Sequence, residues 1–324
     1  MKHVAAGVGI RSVGTCPGEV PLSVRELAER CETTEAVIER SLGDRRVHVT
    51  REPPLRLVLS AADACLRSAG ASIEDVDAII WFGDQPSGLR VQHELGAAHA
   101  FTLFLHGYCS EMVPALRIAG DLVRDGARRV LIVSEDRFDR PYTAQPPSER
   151  SYADLTSDAG SAVLVERDAP LELVGFGFAT RAHDWDYWIK YEEFHAGRLP
   201  AEALPDPIGV SHDEIRTRRT ALERCLHAAG LTVEEPDHFS LPERVRQPLL
   251  SLARQLGIAS TKIVAARFGH MGRSDVVFDL ETLLEGSAPV ADRAVVLMTA
   301  TTGVCRCAAL RWRRQERAAT AVPT

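Results

Sequence analysis

The chain has 324 residues, of which 45% are hydrophobic and 26% charged, and its formal net charge is −7. This is the composition of a globular protein, and the length suits one large α/β domain or two fused halves. The negative charge argues against a general role in binding nucleic acid, and no apolar run approaches the roughly 18 residues of a membrane-spanning helix. The opening residues lack the pattern of a signal peptide, so we expect a cytoplasmic protein with neither a membrane nor a nucleic acid as partner.

Hydrophobic periodicity predicts alternating strands and helices along most of the chain. In the first half the predicted elements are, in order, a strand near the start, helix 58–70, strand 78–82, strand 101–108, helix 110–126, strand 129–133 and strand 162–165. In the second half they are strand 171–180, helix 213–229, strand 239–241, helix 245–256, strand 262–266, helix 274–286, strand 294–300 and strand 307–312. The sequence therefore predicts two similar α/β halves, 1–168 and 169–315, a tail at 316–324, and an aromatic-rich insertion at about 183–212.

Seven cysteines are scattered along the chain, and no C-x-x-C pair is present. The nearest two, Cys305 and Cys307, have one residue between them, which suits neither a disulfide nor a zinc site. A nucleotide-binding loop is equally poorly supported, because Gly7-Val8-Gly9 lacks the third glycine of such loops. We therefore expect free thiols, no metal and no nucleotide cofactor, and one of the thiols is a candidate nucleophile.

Four short motifs occur in a specific order: GYCS at 107–110, where a strand runs into a helix, SDAGSAVL at 157–164, FGHMG at 268–272 and TGV at 302–304. Their order and spacing resemble the ketoacyl-acyl-carrier-protein synthase III branch of the thiolase fold. The resemblance implies two βαβαβ-type halves in a five-layered α/β/α/β/α sandwich. It also implies a homodimer and an acyl group carried on a cysteine as a thioester.

The resemblance assigns the acyl-carrying cysteine to Cys109. The local pattern agrees, because a thiol at the N-terminus of a helix is close to unpaired backbone N–H groups and to the positive end of the helix dipole, both of which favour the thiolate. The family's oxyanion hole, made of backbone N–H groups, falls on Cys109 and Gly303. A glycine at position 303 also lets the backbone approach a thioester carbonyl closely.

The sequence departs from the condensing members of the family, which use a His and an Asn to stabilise the enolate of a malonyl thioester. Pro242 stands at the position of that His, and His270 replaces the turn Asn. Proline has no N–H to donate, so the stabiliser is missing. His270 and Asp275 instead supply a base and a group to orient it. This pattern resembles the subgroup of Cys-His-Asp acyltransferases that pass acyl groups to oxygen or nitrogen.

Two features of the second half remain open at this point. His238 is a rival base, and the sequence does not decide whether it substitutes for the absent family histidine. Five arginines on two predicted helices are candidates for binding a phosphopantetheine arm or an acidic carrier protein, although they also fit solvated helix faces: Arg216, Arg218, Arg219, Arg244 and Arg246.

The sequence thus predicts an acyltransferase of small-molecule, natural-product biosynthesis. It would take an acyl group from an acyl carrier protein or coenzyme A thioester onto Cys109 and deliver it to a hydroxyl or amine acceptor. A first alternative is a decarboxylative β-ketoacyl synthase, against which Pro242 counts. A second is a non-catalytic thiolase-fold partner, against which the retained Cys109 counts. The identities of the acyl group and the acceptor do not follow from the sequence.

Overall fold

A computed structural model describes residues 7–53, 55–83, 87–105, 109–136, 155–182, 193, 198, 212–242, 246–286, 292–301 and 303–313. The first part of the chain contains β1 (Val8–Pro17), β2 (Val20–Leu22), α1 (Val24–Arg30), α2 (Glu35–Leu42), β3 (Val47–Val49), α3 (Leu55–Ala69), β4 (Ala78–Phe82), α4 (Ser87–Glu94), β5 (Phe101–Leu105), α5 (Met112–Arg124), β6 (Arg129–Asp136) and β7 (Ala159–Arg167). The second part contains β8 (Leu171–Thr180), α6 (His212–Ala229), β9 (His238–Ser240), α7 (Arg246–Leu256), α8 (Asp275–Gly286), β10 (Ala294–Thr301) and β11 (Val304–Trp312).

Nine of these strands are hydrogen-bonded in the order β5-β4-β6-β7-β1-β8-β11-β10-β9. The two parts of the chain repeat one pattern. β6 is parallel to β4 and antiparallel to β7, and β10 is likewise parallel to β9 and antiparallel to β11. The parts meet where β1 pairs with β8 through only two residue pairs, Gly9 with Glu172 and Ile10 with Leu171.

The helices lie in three layers around these strands. α3 packs on β1 and β7, and α6 packs on the corresponding strands β8 and β11. α5 and α8 lie between the two groups of strands, because α5 contacts β6 and β7 as well as β10 and β11, and α8 contacts both β1 and β10. One hydrophobic cluster joins this middle layer to both parts of the sheet, with Leu116, Ile132, Val276 and Leu297 fully or almost fully buried. The predicted five-layered α/β/α/β/α sandwich is confirmed.

Most predicted elements are present with ends shifted by a few residues, but the predicted strand 262–266 is wrong. Ser260–Lys262 is a 3-10 turn, and Ile263 makes a single bridge to Phe239. Lys262 turns its ammonium group back to the carbonyl of Pro236, at 2.9 Å, so the segment bends away after one pairing. The sequence analysis also did not predict β2, β3, α1, α2 and α4.

Several predictions fall partly or wholly outside the described residues. These are the tail 316–324 and nearly all of the insertion 183–212. The boundary between residues 168 and 169 lies in the turn between β7 and β8, and the division into two domains stays a prediction. None of the helices within the described ranges is long and apolar enough to cross a membrane.

Candidate functional site

The turn that carries His270 is fastened to the first part of the chain by backbone hydrogen bonds. The N–H of Gly269 donates to the carbonyl of Arg46 at 2.9 Å, and that of His270 donates to the carbonyl of Leu155 at 3.1 Å. The N–H of Ser157 returns a bond to the carbonyl of His270 at 2.7 Å. Gly269 is required here, because a Cβ atom at this position would lie 2.2 Å from the carbonyl oxygen of Leu155.

This turn brings together the three residues that the sequence singled out as nucleophile, base and orienter. Nε2 of His270 lies 3.5 Å from Sγ of Cys109, and Nδ1 lies 2.6 Å from Oδ2 of Asp275. The other carboxylate oxygen of Asp275 accepts the N–H of Met271 at 2.8 Å. The proton on Nδ1 therefore points to Asp275, and Nε2 is the nitrogen that exchanges a proton at the sulfur.

The charges around His270 favour its protonated form. Burial by itself lowers the pKa of this imidazole, but the carboxylate of Asp275 and the thiolate of Cys109 outweigh it and raise the pKa well above the ordinary 6.5. The side chain of Asp275 is 6% exposed and that of His270 is 30% exposed, so water screens the pair only on one side. With the sulfur unloaded, the site thus presents a protonated imidazole to Sγ of Cys109.

Cys109 lies in a turn three residues ahead of α5. The sequence analysis had expected it directly at the N-terminus of the helix. α5 begins at Met112, and the side chain of Glu111 ahead of it binds the Arg306 guanidinium at 2.7 Å. The same guanidinium contacts the carbonyl of Ser110 at 3.4 Å. The influence of a helix dipole falls off within its first turn, so the imidazolium of His270 is the closer source of positive charge for the sulfur.

Gly303 lies at the tip of the β10–β11 hairpin with a positive φ of 73°. Its carbonyl accepts the N–H of Arg181 at 2.7 Å. Thr299 on the same hairpin donates its hydroxyl to the carbonyl of Ser110 at 3.0 Å, which ties the hairpin to the turn that carries Cys109. The oxyanion-hole role of the N–H groups of Gly303 and Cys109 stays a prediction.

The structure does not bring His238, the rival base, to the sulfur. It pairs with Val295 near the start of β10, whereas Thr299, which binds the carbonyl of Ser110 next to Cys109, lies farther along that strand. Four residues of extended strand separate Val295 from Thr299, which is about 13 Å. Burial lowers the pKa of His238, although neighbouring Asp237 acts in the opposite sense, so the neutral form is favoured.

The arginine candidates fall into different environments. Arg218 is buried and pairs with Glu214 at 3.3 Å. The sequence analysis had expected it at the surface, where it could bind a partner, and that expectation is wrong. The stem of Arg218 occupies the inner side of α6, where a buried charge needs a close partner. Arg216 is exposed and pairs with Asp213 at 2.9 Å, and the exposed Arg219 binds a backbone carbonyl of α7. The two remaining side chains lie outside the described residues: Arg244 and Arg246.

One residue at this site was missed by the sequence analysis. Asp136, at the carboxyl end of β6, is 3% exposed. It accepts the N–H groups of Arg273 and Ser274 at 2.9 and 3.0 Å and the Ser274 hydroxyl at 2.7 Å. No local pattern could reveal this contact, because 138 positions separate Asp136 from Ser274. Among the described residues, no cluster of three or more His, Cys, Asp or Glu side chains has an arrangement that could hold a metal.

Comparison with known proteins places the whole chain beside one group of enzymes. No family model matches the sequence. The beta-ketoacyl-[acyl-carrier-protein] synthase III of Synechocystis sp. is 26% identical over 301 residues, which cover 87% of this chain and 90% of the relative.

Solved structures agree with this likeness. 3-oxoacyl-(acyl carrier protein) synthase III, FabH, of Pseudomonas aeruginosa superposes with a TM-score of 0.78 at 24% identity, covering 95% of this chain and 99% of FabH. The priming β-ketosynthase of the R1128 polyketide biosynthetic pathway superposes with a TM-score of 0.76 at 21% identity, covering 95% and 96%. With the fold and the sequence likeness in agreement over nearly the whole length, the chain has the thiolase fold and is similar to ketosynthase III enzymes.

Proposed function

We propose that the protein is an acyltransferase that carries an acyl group on Cys109 and passes it to a hydroxyl or amine of a small molecule. The observation that supports this most directly is the continuous contact from Sγ of Cys109 through the imidazole of His270 to the carboxylate of Asp275. A base next to the loaded sulfur is what transfer to oxygen or nitrogen requires, because the acceptor must lose a proton as it attacks.

In the loading step the Cys109 thiolate attacks the carbonyl carbon of an acyl thioester. A C–S bond to the enzyme forms, the C–S bond to the donor breaks, and the imidazolium of His270 gives its proton to the departing donor thiolate. This leaves a neutral imidazole beside an uncharged thioester. Loading also removes the charge on Cys109 that helps to raise the pKa of His270, so the ring is a better-matched base in the loaded enzyme than in the unloaded one.

In the transfer step Nε2 of His270 accepts the proton of the acceptor hydroxyl or amine. The acceptor oxygen or nitrogen bonds to the acyl carbon, the C–S bond breaks, and the electrons return to Cys109 as thiolate. The proton remains on His270, and Asp275 balances its charge across the 2.6 Å contact. The cycle therefore ends with the thiolate and imidazolium with which it began.

Decarboxylative condensation is less well supported than acyl transfer, because of the residue that follows β9. β9 and β10 run parallel, so the residues after β9 lie at the same edge as the hairpin tip near Cys109. Pro242 follows β9 there and has no N–H with which to stabilise an enolate. A silent, non-catalytic partner has no use for a connected thiol, imidazole and carboxylate.

The donor we propose is an acyl carrier protein or coenzyme A thioester, and the first is supported by the similarity to enzymes named for acyl carrier protein substrates. Exposed Arg216 and Arg219 on α6 support an acidic partner, since each places a guanidinium at the surface. The biosynthetic setting remains part of the proposal, and the similarity to a polyketide priming enzyme supports it. Unpaired thiols in the described part of the chain and an acidic net charge fit a cytoplasmic location.

A homodimer is supported by an edge of the sheet at which no further strand pairs among the described residues. β5 is the end strand, and its apolar side chains are incompletely covered, with Phe101 59% exposed. An exposed apolar edge strand is a surface that another strand can pair with. We propose that β5 pairs with β5 of a second copy.

Intact-protein mass spectrometry tests the proposal. The enzyme is incubated with a panel of acyl-coenzyme A and acyl-carrier-protein thioesters, then with alcohols and amines, and the Cys109→Ala variant is treated in parallel. We expect one acyl mass to add to the wild type alone and to disappear as an ester or amide forms. Equal loading of Cys109→Ala, or conversion of malonyl thioester to a β-ketoacyl product, would overturn the proposal.

A further inference from the structure

The helix that begins with Asp275 is capped by a residue from another strand. A 3-10 turn, Gly272–Ser274, runs directly into α8, and Met271 ahead of it provides no side-chain hydrogen bond. The first N–H groups of a helix have no partners within the helix and need acceptors from elsewhere. Asp136 binds the turn that leads into the helix, since its two oxygens accept the N–H groups of Arg273 and Ser274, the latter also donating to the carbonyl of Met271 at 3.0 Å.

The capped residues lie immediately before Asp275, so their placement fixes the placement of its carboxylate. Asp275 in turn binds the N–H of Met271 and Nδ1 of His270. The segment from His270 to Asp275 is therefore held at one end by Asp136 and closed on itself at the other by Asp275. A displacement of the helix start would move the contact that aims His270 at the sulfur.

Asp136 is itself firmly held by the sheet. The Ser274 hydroxyl, which lies 2.7 Å from its carboxylate, is 3.1 Å from the hydroxyl of Ser134 on β6. Ser134 is 2.7 Å from the hydroxyl of Ser161 on β7. All of these side chains are buried. The start of α8 is thus connected by hydrogen bonds to β6 and β7 in the first part of the chain. These buried contacts give a rigid support to Asp275, which must be placed accurately.

The charge of Asp136 has a cost that its contacts reduce without removing. Burial raises the pKa of this carboxyl, neighbouring Asp275 acts in the same sense, and the guanidinium and N–H of Arg273 and the hydroxyl of Ser274 oppose the shift only in part. The guanidinium of Arg273 lies 3.8 Å from Asp136 and donates to the carbonyl of Glu135 at 3.0 Å. A buried carboxylate that only filled space would be replaced at little loss by an apolar residue, whereas one that binds three donors of a single turn holds that turn in place.

We propose that Asp136 is a positioning residue, which sets the direction of Asp275 and His270 toward Cys109 through the backbone N–H groups of Arg273 and Ser274. It touches neither the sulfur nor the imidazole, so it acts only through them. The inference rests on the proposed function to the extent that His270 assists the chemistry of Cys109.

The test measures alkylation of Cys109 by iodoacetamide as a function of pH, read by peptide mass spectrometry, together with acyl transfer from the loaded enzyme. The variants are Asp136→Ala, Asp136→Asn and Ser274→Ala, the last removing only the hydroxyl contact. The matched control is Asp237→Asn, because the carboxylate of Asp237 also binds a backbone N–H, that of Ala294 at 3.0 Å, but at the start of β10. Urea unfolding of each variant reports its stability.

We expect Asp136→Ala to lower transfer by about 10²-fold, the loss that a misplacement of roughly 1 Å produces. Its alkylation profile should move toward that of His270→Ala, with a smaller effect in Ser274→Ala and none in the control. Combined with His270→Ala, the Asp136 substitution should cause no further loss, because a positioning residue has nothing to position once the imidazole is gone. If Asp136→Ala does not fold, Asp136→Asn and Ser274→Ala carry the same comparison.

The proposal is overturned if Asp136→Ala lowers alkylation by the same factor with and without His270, or if its profile equals that of the wild type while His270→Ala changes it. Failure of the proposed function is a different result: there His270→Ala itself leaves both alkylation and transfer unchanged.

Discussion

Asp275 holds His270 twice, through the ring and through the backbone. One carboxylate oxygen lies 2.6 Å from Nδ1, and the other accepts, at 2.8 Å, the N–H of Met271, the next residue in the chain. The ring cannot turn about its side-chain bonds without losing the first contact, and the turn cannot shift without losing the second. Orientation of the base is therefore built into the first residue of α8.

Substitutions in this pair should separate loading from transfer. His270→Ala should still accept an acyl group on Cys109, more slowly, but lose transfer by about 10²- to 10⁴-fold, the usual contribution of a general base. Asp275→Asn should lower transfer by no more than His270→Ala does. An amide that donates to Nδ1 favours the ring tautomer with its proton on Nε2, and this tautomer cannot act as the base. Single-turnover transfer from preloaded enzyme measures both, and the double variant should be no worse than His270→Ala. Loss of transfer in His238→Ala with normal transfer in His270→Ala would contradict the assignment.

The seven thiols should differ sharply in reactivity. Burial raises the pKa of Cys65 and of Cys225 to about 12 and that of Cys307 well above its ordinary value. Half-buried Cys16 is also raised by burial, so it should react slowly. Iodoacetamide at neutral pH should thus label Cys109 first, because only a thiolate reacts quickly. Peptide mapping after limited alkylation checks this, with Cys109→Ser as the control. Prior labelling of Cys16 would count against an activated Cys109.

Malonyl thioesters should not support condensation. Loss of one donor to a developing oxyanion typically costs about 10²- to 10³-fold in rate, and Pro242 offers none. Acyl-loaded enzyme supplied with malonyl-carrier protein should therefore release little carbon dioxide above the Cys109→Ala background. Rapid, stoichiometric release together with a β-ketoacyl product would restore condensation as the activity.

The contact between His270 and Asp275 should make stability depend on pH in one direction. The pKa of His270 is raised in the folded protein above the ordinary 6.5, so the folded state binds the proton more tightly than the unfolded state. This contribution is complete below about pH 6.5 and is lost as the pH rises through the folded-state pKa. The difference in unfolding free energy between the wild type and Asp275→Asn should therefore shrink from pH 6 to pH 9. Urea unfolding at several pH values measures it, and a difference that grows with pH would contradict the ion pair.

Two glycines should respond oppositely to the addition of one methyl group. Gly269→Ala would place Cβ 2.2 Å from the backbone oxygen of Leu155, so the turn must move, at a cost of about 1–3 kcal/mol and with loss of transfer. Gly120 lies in α5, where the nearest atom to an added Cβ is 3.5 Å away. Gly120→Ala should be neutral or stabilise by up to about 1 kcal/mol through helix propensity. Chemical unfolding compares the two, and an equal response would refute the steric explanation.

The contact of His270 with Cys109 and Asp275 could be predicted because the family resemblance assigned Cys109 and the turn that carries His270, and Asp275 lies only five positions after His270. Buried strands such as β4 and β10 could be predicted because each is a short apolar run in the sequence. An apolar run alone does not make a strand, however. The strand predicted at 262–266 is wrong because the chain there makes only one bridge, between Ile263 and Phe239.

The remaining features depend on contacts between distant parts of the chain. Asp136 binds Ser274, and Arg306 on β11 binds Glu111 directly before α5. The burial of Arg218 also follows from packing: its partner Glu214 is only four positions away on α6, and the packing of that helix decides that this face is buried. Pattern and propensity carry no information about such pairings, since each requires that the sheet already be assembled.

The middle layer has a consequence for how the protein unfolds. α5 follows the nucleophile, α8 begins with the orienter, and both helices belong to one apolar cluster that also includes strands from each part of the chain. Neither part can separate without exposing that shared surface to water, so we expect one cooperative unfolding transition rather than two. A ligand that contacts both Cys109 and His270 should accordingly raise the unfolding temperature of the whole chain. Thermal denaturation can therefore be used to screen acyl thioesters for binding.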